Sequence, residues 1–89
     1  MTRGPELPRL SVIVPVYNEV RTVEKIVARL HEIPLPMEII CVNDCSKDGS
    51  AEILDRLKGE GLVEIVVHHA VNRGKGAALR SGIEHATGP

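Results

Sequence analysis

Phenylalanine and tryptophan are absent from this 89-residue chain, and Tyr17 is its only aromatic residue. Globular cores ordinarily use large rings as filler, so this core must be assembled from Val, Ile, Leu and Ala, and a lone ring in a polar stretch raises a functional question. No apolar run approaches the roughly 18 to 20 residues that a membrane-spanning helix requires. The start of the chain also lacks the basic, apolar and small-residue order of a secretory leader, which points to a cytoplasmic protein. Cysteine is scarce as well: Cys41 lies in an apolar run and Cys45 in a polar turn, with no His or Cys cluster at zinc spacing nearby. Two reduced thiols are expected, neither a disulfide nor a metal site. There is no excess of either charge, with 11 Lys and Arg against 12 Asp and Glu for a net charge of -1. That balance argues against nucleic acid or an acidic membrane surface as the main partner, so any anion site must be local. The length admits one small core, and the chain reads as a single domain or a piece of one.

What is present is a strict alternation. Apolar runs rich in Val and Ile occur at Leu10 to Val16, Met37 to Val42 and Val63 to Val67. They read as three strands buried on both faces. Between the first two, Val20, Val23, Ile26, Val27 and Leu30 fall at helical spacing, and Ile53, Leu54 and Leu57 do so between the second pair. Ala78, Leu79, Gly82, Ile83 and Ala86 form a third stripe, with Gly82 and the alanines permitting a close approach to the strands. Short connections containing Gly and Pro, at Ile33 to Pro36 and Gly59 to Gly61, stop the helices. Crossovers through helices force parallel pairing, so the fold class is α/β, a three-layer parallel sheet of order βαβαβα. Residues 1–8, with two prolines and a glycine, read as a loose lead-in, and residues 9–89 as the folded unit.

In open parallel sheets ligands bind at the carboxyl ends of the strands. Three polar loops stand there: Pro15-Val16-Tyr17-Asn18-Glu19, Asn43 through Ser50, and Asn72-Arg73-Gly74-Lys75-Gly76. Each has a bland reading. Asn18 can be the N-cap of the first helix and Glu19 a first-turn acid on the helix dipole, while Ser46 or Asp48 caps the second helix. Asp44 is harder to set aside, because a carboxylate directly after a buried strand is costly unless something bonds to it, and a ligand donor group is the suggested partner. Gly74-Lys75-Gly76 before a helix resembles a small anion cradle, although the same tripeptide occurs in ordinary turns. His31, His68, His69 and His85 are scattered and are taken as surface or edge residues. A dinucleotide site would need alternating glycines after the first strand, where Pro15, Tyr17 and Glu19 stand, and Gly74-Lys75-Gly76 does not complete a P-loop.

Taken together and in order, Ser11 to Glu19, Val42 to Ser50 and Asn72 to Leu79 resemble the opening three motifs of family 2 glycosyltransferases. The resemblance extends from Leu10 to Gly88 and is closest to the branch that transfers a hexose to dolichyl or polyprenyl phosphate. It implies a truncated GT-A (Rossmann-like) fold, a UDP- or GDP-linked sugar donor, inversion at the sugar carbon and a divalent cation, Mg or Mn, in the complete enzyme. Carried over residue by residue, Pro15, Tyr17 and Glu19 border the base and ribose, Asp44 bonds the base, and Lys75 contacts the nucleotide. An aromatic face suits a base, a carboxylate accepts from ribose hydroxyls or a base N–H, and a lysine suits phosphate. Asn43 stands where the family usually has an aspartate, and Cys45 where glycine is common. The family continues into a fourth strand ending in an Asp-x-Asp motif that holds the metal, with the catalytic base and acceptor site beyond it. The resemblance therefore implies that these residues are the nucleotide-binding front part of such an enzyme, with no catalytic or metal residue of their own. The family's sheet order further implies that the first strand is an open edge in this chain, through which two copies would associate. Two readings from other classes stand beside this one: a non-catalytic nucleotide-binding or scaffolding module, and a flavodoxin-like or response-regulator-like domain built around Asp44. The last leaves Tyr17 and the Gly-Lys-Gly loop unexplained.

Overall fold

The computed structural model describes residues 10–86. The lead-in expected over residues 1–8 lies outside them. Strands and helices alternate as expected: β1 (Leu10–Val16), α1 (Val23–His31), β2 (Met37–Asn43), α2 (Ser50–Gly59), β3 (Ile65–His68) and α3 (Lys75–His85). The strands form one parallel sheet in the order β1-β2-β3. Ile13 pairs with Ile40 on one side of the central strand, and Cys41 with Val66 on the other.

The side-chain alternation of β2 divides the core into two layers. Ile39 and Cys41 join Val14, Val16, Val23, Val27, Leu54, Leu57 and Val63 in the larger layer, under α1 and α2. Ile40 and Val42 face the other way and pack with Ala78, Ile13, Ile65 and Val67 under α3. Helices thus cover both faces, and each fully buried aliphatic side chain contributes about 1.5 to 3 kcal/mol. Only β2 is buried on both faces, from Glu38 to Asn43. β1 and β3 are the two edges of the described sheet and are partly exposed, which corrects the expectation of three doubly buried strands.

The third helix departs most from its apolar stripe. Its buried residues are Ala77, Ala78, Ser81 and Gly82, whereas Leu79 and Ile83 are 37% and 62% exposed. Small side chains win the sheet-facing positions because the backbone comes very close there: a Cβ on Gly82 would collide with the β-branched side chain of Ile13. The larger apolar groups are left on a flank that no described element covers. Helix α1 also starts later than its pattern suggested, at Val23 with Thr22 as N-cap, so Asn18 does not cap it.

Both cysteines are free thiols. Burial, reinforced by the charge of Glu64, pushes the Cys41 thiol up to about 12, so it is an inert core group. One buried carboxylate was not anticipated: Glu38, beside the edge strand, accepts a hydrogen bond from the Ser11 hydroxyl at 3.1 Å.

Candidate functional site

The three loops after β1, β2 and β3 meet at one end of the sheet, held together by side chains that capture backbone groups. Asn18 sits in the left-handed region with φ of 53°, a conformation that asparagine tolerates better than most residues. Its N–H donates to Ser46 Oγ at 2.9 Å, and its own Oδ1 accepts the Lys47 N–H at 2.9 Å. The next two amides are captured in the same way. Glu19 N–H donates to Ser50 Oγ at 3.0 Å and Val20 N–H to Asp48 Oδ2 at 3.1 Å. Asp48 is not the N-cap of α2 as expected, because Gly49 holds that position without a side-chain cap; Asp48 stands one residue earlier, its Oδ1 accepting the Ser50 hydroxyl at 2.6 Å and the Ser50 N–H at 3.1 Å. The Ser50 hydroxyl holds the Asp48 carboxyl below the ordinary aspartate value; burial opposes this, and the Val20 and Ser50 amides add to it. Ser46 braces the first loop and does not cap α2 either.

At the end of β2 two neighbouring residues point to two neighbouring histidines. Asn43 Oδ1 accepts the Ser46 N–H at 2.9 Å, which fixes its amide so that Nδ2 donates to His68 Nδ1 at 3.0 Å. His68 Nε2–H then donates to Asp55 Oδ1 at 2.8 Å. The amide at position 43 thus has a partner suited to it.

Asp44 is buried, and its desolvation is met by donors from the chain itself. Oδ1 accepts from His69 Nδ1 at 2.9 Å and from the Arg73 N–H at 2.8 Å, and Oδ2 accepts the Gly74 N–H at 2.8 Å. Burial alone would raise its pKa, but the bond from His69 and those from the two amides outweigh it and keep the carboxyl below the ordinary value. Gly74, with φ of 92°, is the N-cap of α3, so the acid that follows β2 occupies part of the loop that reads as an anion cradle. His69 corrects the sequence reading. It is 9% exposed, not a surface residue, and its Nε2 meets Ser81 Oγ of α3 at 2.8 Å. His31 and His85 are exposed, as expected, and His68 stands half-exposed at the sheet edge.

The loops enclose an open cleft of about 370 Å³, lined by Pro15, Tyr17, Glu19, Asp44 and Lys75 together with Asn72, Gly74 and Ala78. All five residues singled out from the sequence therefore share one concavity. Its size is in the range of small-molecule sites. Tyr17 presents a half-exposed ring, Glu19 holds the Thr22 hydroxyl at 2.9 Å, and Lys75 opens α3 as an exposed cation. Sequence reasoning missed Asn72 as a lining residue, and it missed the buried pair His69 and Ser81 behind Asp44. Among the described residues no three His, Cys, Asp or Glu side chains converge to hold a metal ion.

The family model described as glycosyl transferase family 2 matches residues 11–89. The chain belongs to that family. An uncharacterized glycosyltransferase of Synechocystis sp. is 40% identical over 84 residues, which cover 89% of this chain and 26% of the relative. The bactoprenol glucosyl transferase of Shigella phage SfX is 33% identical over 84 residues, covering 90% of this chain and 28% of its own length. Among solved structures, a mannosyltransferase from Pyrobaculum calidifontis in complex with GDP-Man and Mn2+ superposes with a TM-score of 0.82 at 31% identity. That match covers 96% of this chain and 26% of the mannosyltransferase. Residues 1-349 of S. aureus TarS in complex with UDP superpose with a TM-score of 0.79 at 26% identity, over 90% of this chain and 25% of that TarS chain. The fold is thus the GT-A type of these glycosyltransferases, and this family 2 chain spans about a quarter of the length of the relatives it matches.

Proposed function

We propose that the cleft binds the nucleotide of a UDP- or GDP-linked sugar, and that the chain is the donor-binding part of an inverting hexosyltransferase. The observation that carries this is the convergence of Pro15, Tyr17, Glu19, Asp44 and Lys75 on one cleft at the carboxyl ends of parallel strands. In this reading the Tyr17 ring borders the base and Asp44 accepts a base N–H. Glu19 accepts from ribose hydroxyls, and Lys75 supplies the positive charge that the nucleotide phosphates require. Similarity to a bactoprenol glucosyl transferase supports a polyprenyl phosphate acceptor, and in this reading the chain works at the cytoplasmic face of a membrane. The chain itself carries no helix among its described residues that is long and apolar enough to cross one. The Mn2+ of the P. calidifontis mannosyltransferase supports a divalent cation in the complete reaction. The described residues do not furnish its site. Transfer would be an in-line displacement in which a carboxylate outside the described residues assists the attacking oxygen. The partly exposed edge strand β1 further supports pairing of two copies of this chain.

The test compares Asp44→Ala with Asp48→Ala in UDP and GDP binding by calorimetry. Asp44→Ala should weaken binding more, because Asp44 lines the cleft while Asp48 holds Ser50 at the start of α2 and braces the first loop through the Val20 N–H. Losing the Asp48 bonds to Ser50 and Val20 should instead lower stability. Equal losses of affinity at unchanged stability would contradict the assignment.

A further inference from the structure

Behind the cleft, Asp44, His69 and Ser81 form a buried chain from the end of β2 through the end of β3 into α3. An acid, an imidazole and a hydroxyl in this order are familiar from nucleophilic catalysis, but here the hydroxyl cannot act as a nucleophile. Ser81 is 7% exposed in the helix–sheet interface and does not line the cleft. The only member that lines the cleft is Asp44, at the opposite end from the hydroxyl. The polarity of the hydrogen bonds follows from what each group can do. The Asp44 carboxylate already accepts two amide N–H groups, so His69 Nδ1 must carry a proton and donate. Among the described residues the Ser81 hydroxyl has no other acceptor within reach, so it donates to His69 Nε2, which fixes the imidazole as the neutral Nδ1–H tautomer.

We propose that His69, set in that tautomer by Ser81, is a positioning residue that holds the Asp44 carboxylate in the orientation required for the nucleotide. The proposal rests on the reading of the cleft as a nucleotide site. The amides of Arg73 and Gly74 come from the connection that leads into α3, whereas His69 is anchored at the end of a strand by its own N–H, which donates to Asn43 O at 2.8 Å. It thus ties Oδ1 to the sheet. Without it, the carboxylate is held only by the loop that it is meant to organise. An asparagine at 69 places an amide N–H where the imidazole Nδ1–H stands, and a leucine does not.

The experiment uses the 89-residue chain and its His69→Leu, His69→Asn and Ser81→Ala variants, with UDP and GDP as probes in calorimetry. Imidazole ¹⁵N shifts are recorded in parallel. His69→Leu should weaken binding about tenfold or more, the order expected for losing a hydrogen bond to a charged group, while His69→Asn should restore most of that loss. The imidazole spectrum should show His69 as the Nδ1–H tautomer in the parent and a tautomer mixture in Ser81→Ala. If the parent binds and both His69 variants bind equally well, the positioning role is overturned while the nucleotide site stands. If the parent binds neither nucleotide, the site reading itself falls and the proposal with it. Should His69→Leu fail to fold, an Nε2–H tautomer in the parent, or an Asn variant no better than Ser81→Ala, would still overturn the proposal.

Discussion

The Gly74 N–H donates to Asp44 Oδ2 at 2.8 Å across 30 residues of sequence, joining the end of the central strand to the start of the last helix. The N-terminus of α3 therefore already faces an anion of the protein's own, placed favourably against the helix dipole. What the loop offers a ligand is the cleft wall around this pair, with Lys75 beside it.

Asp44 and Asp48 both titrate below the ordinary aspartate value in the fold, so their ionised forms stabilise it. That contribution is complete above about pH 4, the unfolded value, and is lost as pH falls through the lower folded values. Urea midpoints followed by circular dichroism should thus decline from about pH 4 downward. Asp44→Asn should start from a lower midpoint at neutral pH, because its amide opposes the Gly74 N–H, and decline less steeply with acid. Parallel declines in parent and variant would remove Asp44 from the account of acid stability.

Gly82→Val should lower stability by about 1 to 3 kcal/mol through overpacking, since the new side chain meets Ile13 with no room to turn aside. Ile83→Ala, one residue on but 62% exposed, should change it by less than about 0.5 kcal/mol. Thermal melts of the two variants give the comparison. Similar shifts would mean that α3 does not sit against β1 through Gly82.

The order of elements was legible because apolar runs and helical stripes alternate without interruption, and the cleft residues were legible because each follows a strand. What escaped was set by contacts distant in sequence. His69 read as a surface or edge residue because its partners Asp44 and Ser81 lie 25 and 12 residues away, and only the unmet need of Asp44 for a donor pointed toward it. The clasp between the first two loops was hidden for the same reason, since Ser46 and Asp48 look like caps of their own helix. Helix α3 was misread because Leu79 and Ile83 outweigh alanine and glycine in any apolar pattern, whereas close approach to the sheet selects the smaller groups. Cys45 adopts φ of 64° at a position where the family commonly has glycine, and nothing in its local sequence signals that.

β1 carries no charged residue from Leu10 to Val16 and forms one edge of the described sheet. An edge of this kind is a template for pairing, so the 89-residue chain should associate through it, in the simplest case as a symmetric antiparallel dimer. Light scattering should show a mass that rises with concentration. A stable monomer at high concentration, with slowly exchanging β1 amides, would contradict this.

The most direct test of the nucleotide cleft is titration of the ¹⁵N-labelled chain with UDP and with GDP, followed through amide shifts. The residues of three separate loops, Tyr17, Glu19, Asp44 and Lys75, should shift together with a single dissociation constant for whichever nucleotide binds. Shifts confined to the opposite end of the sheet, around the carboxyl ends of the helices, would contradict the account at its centre.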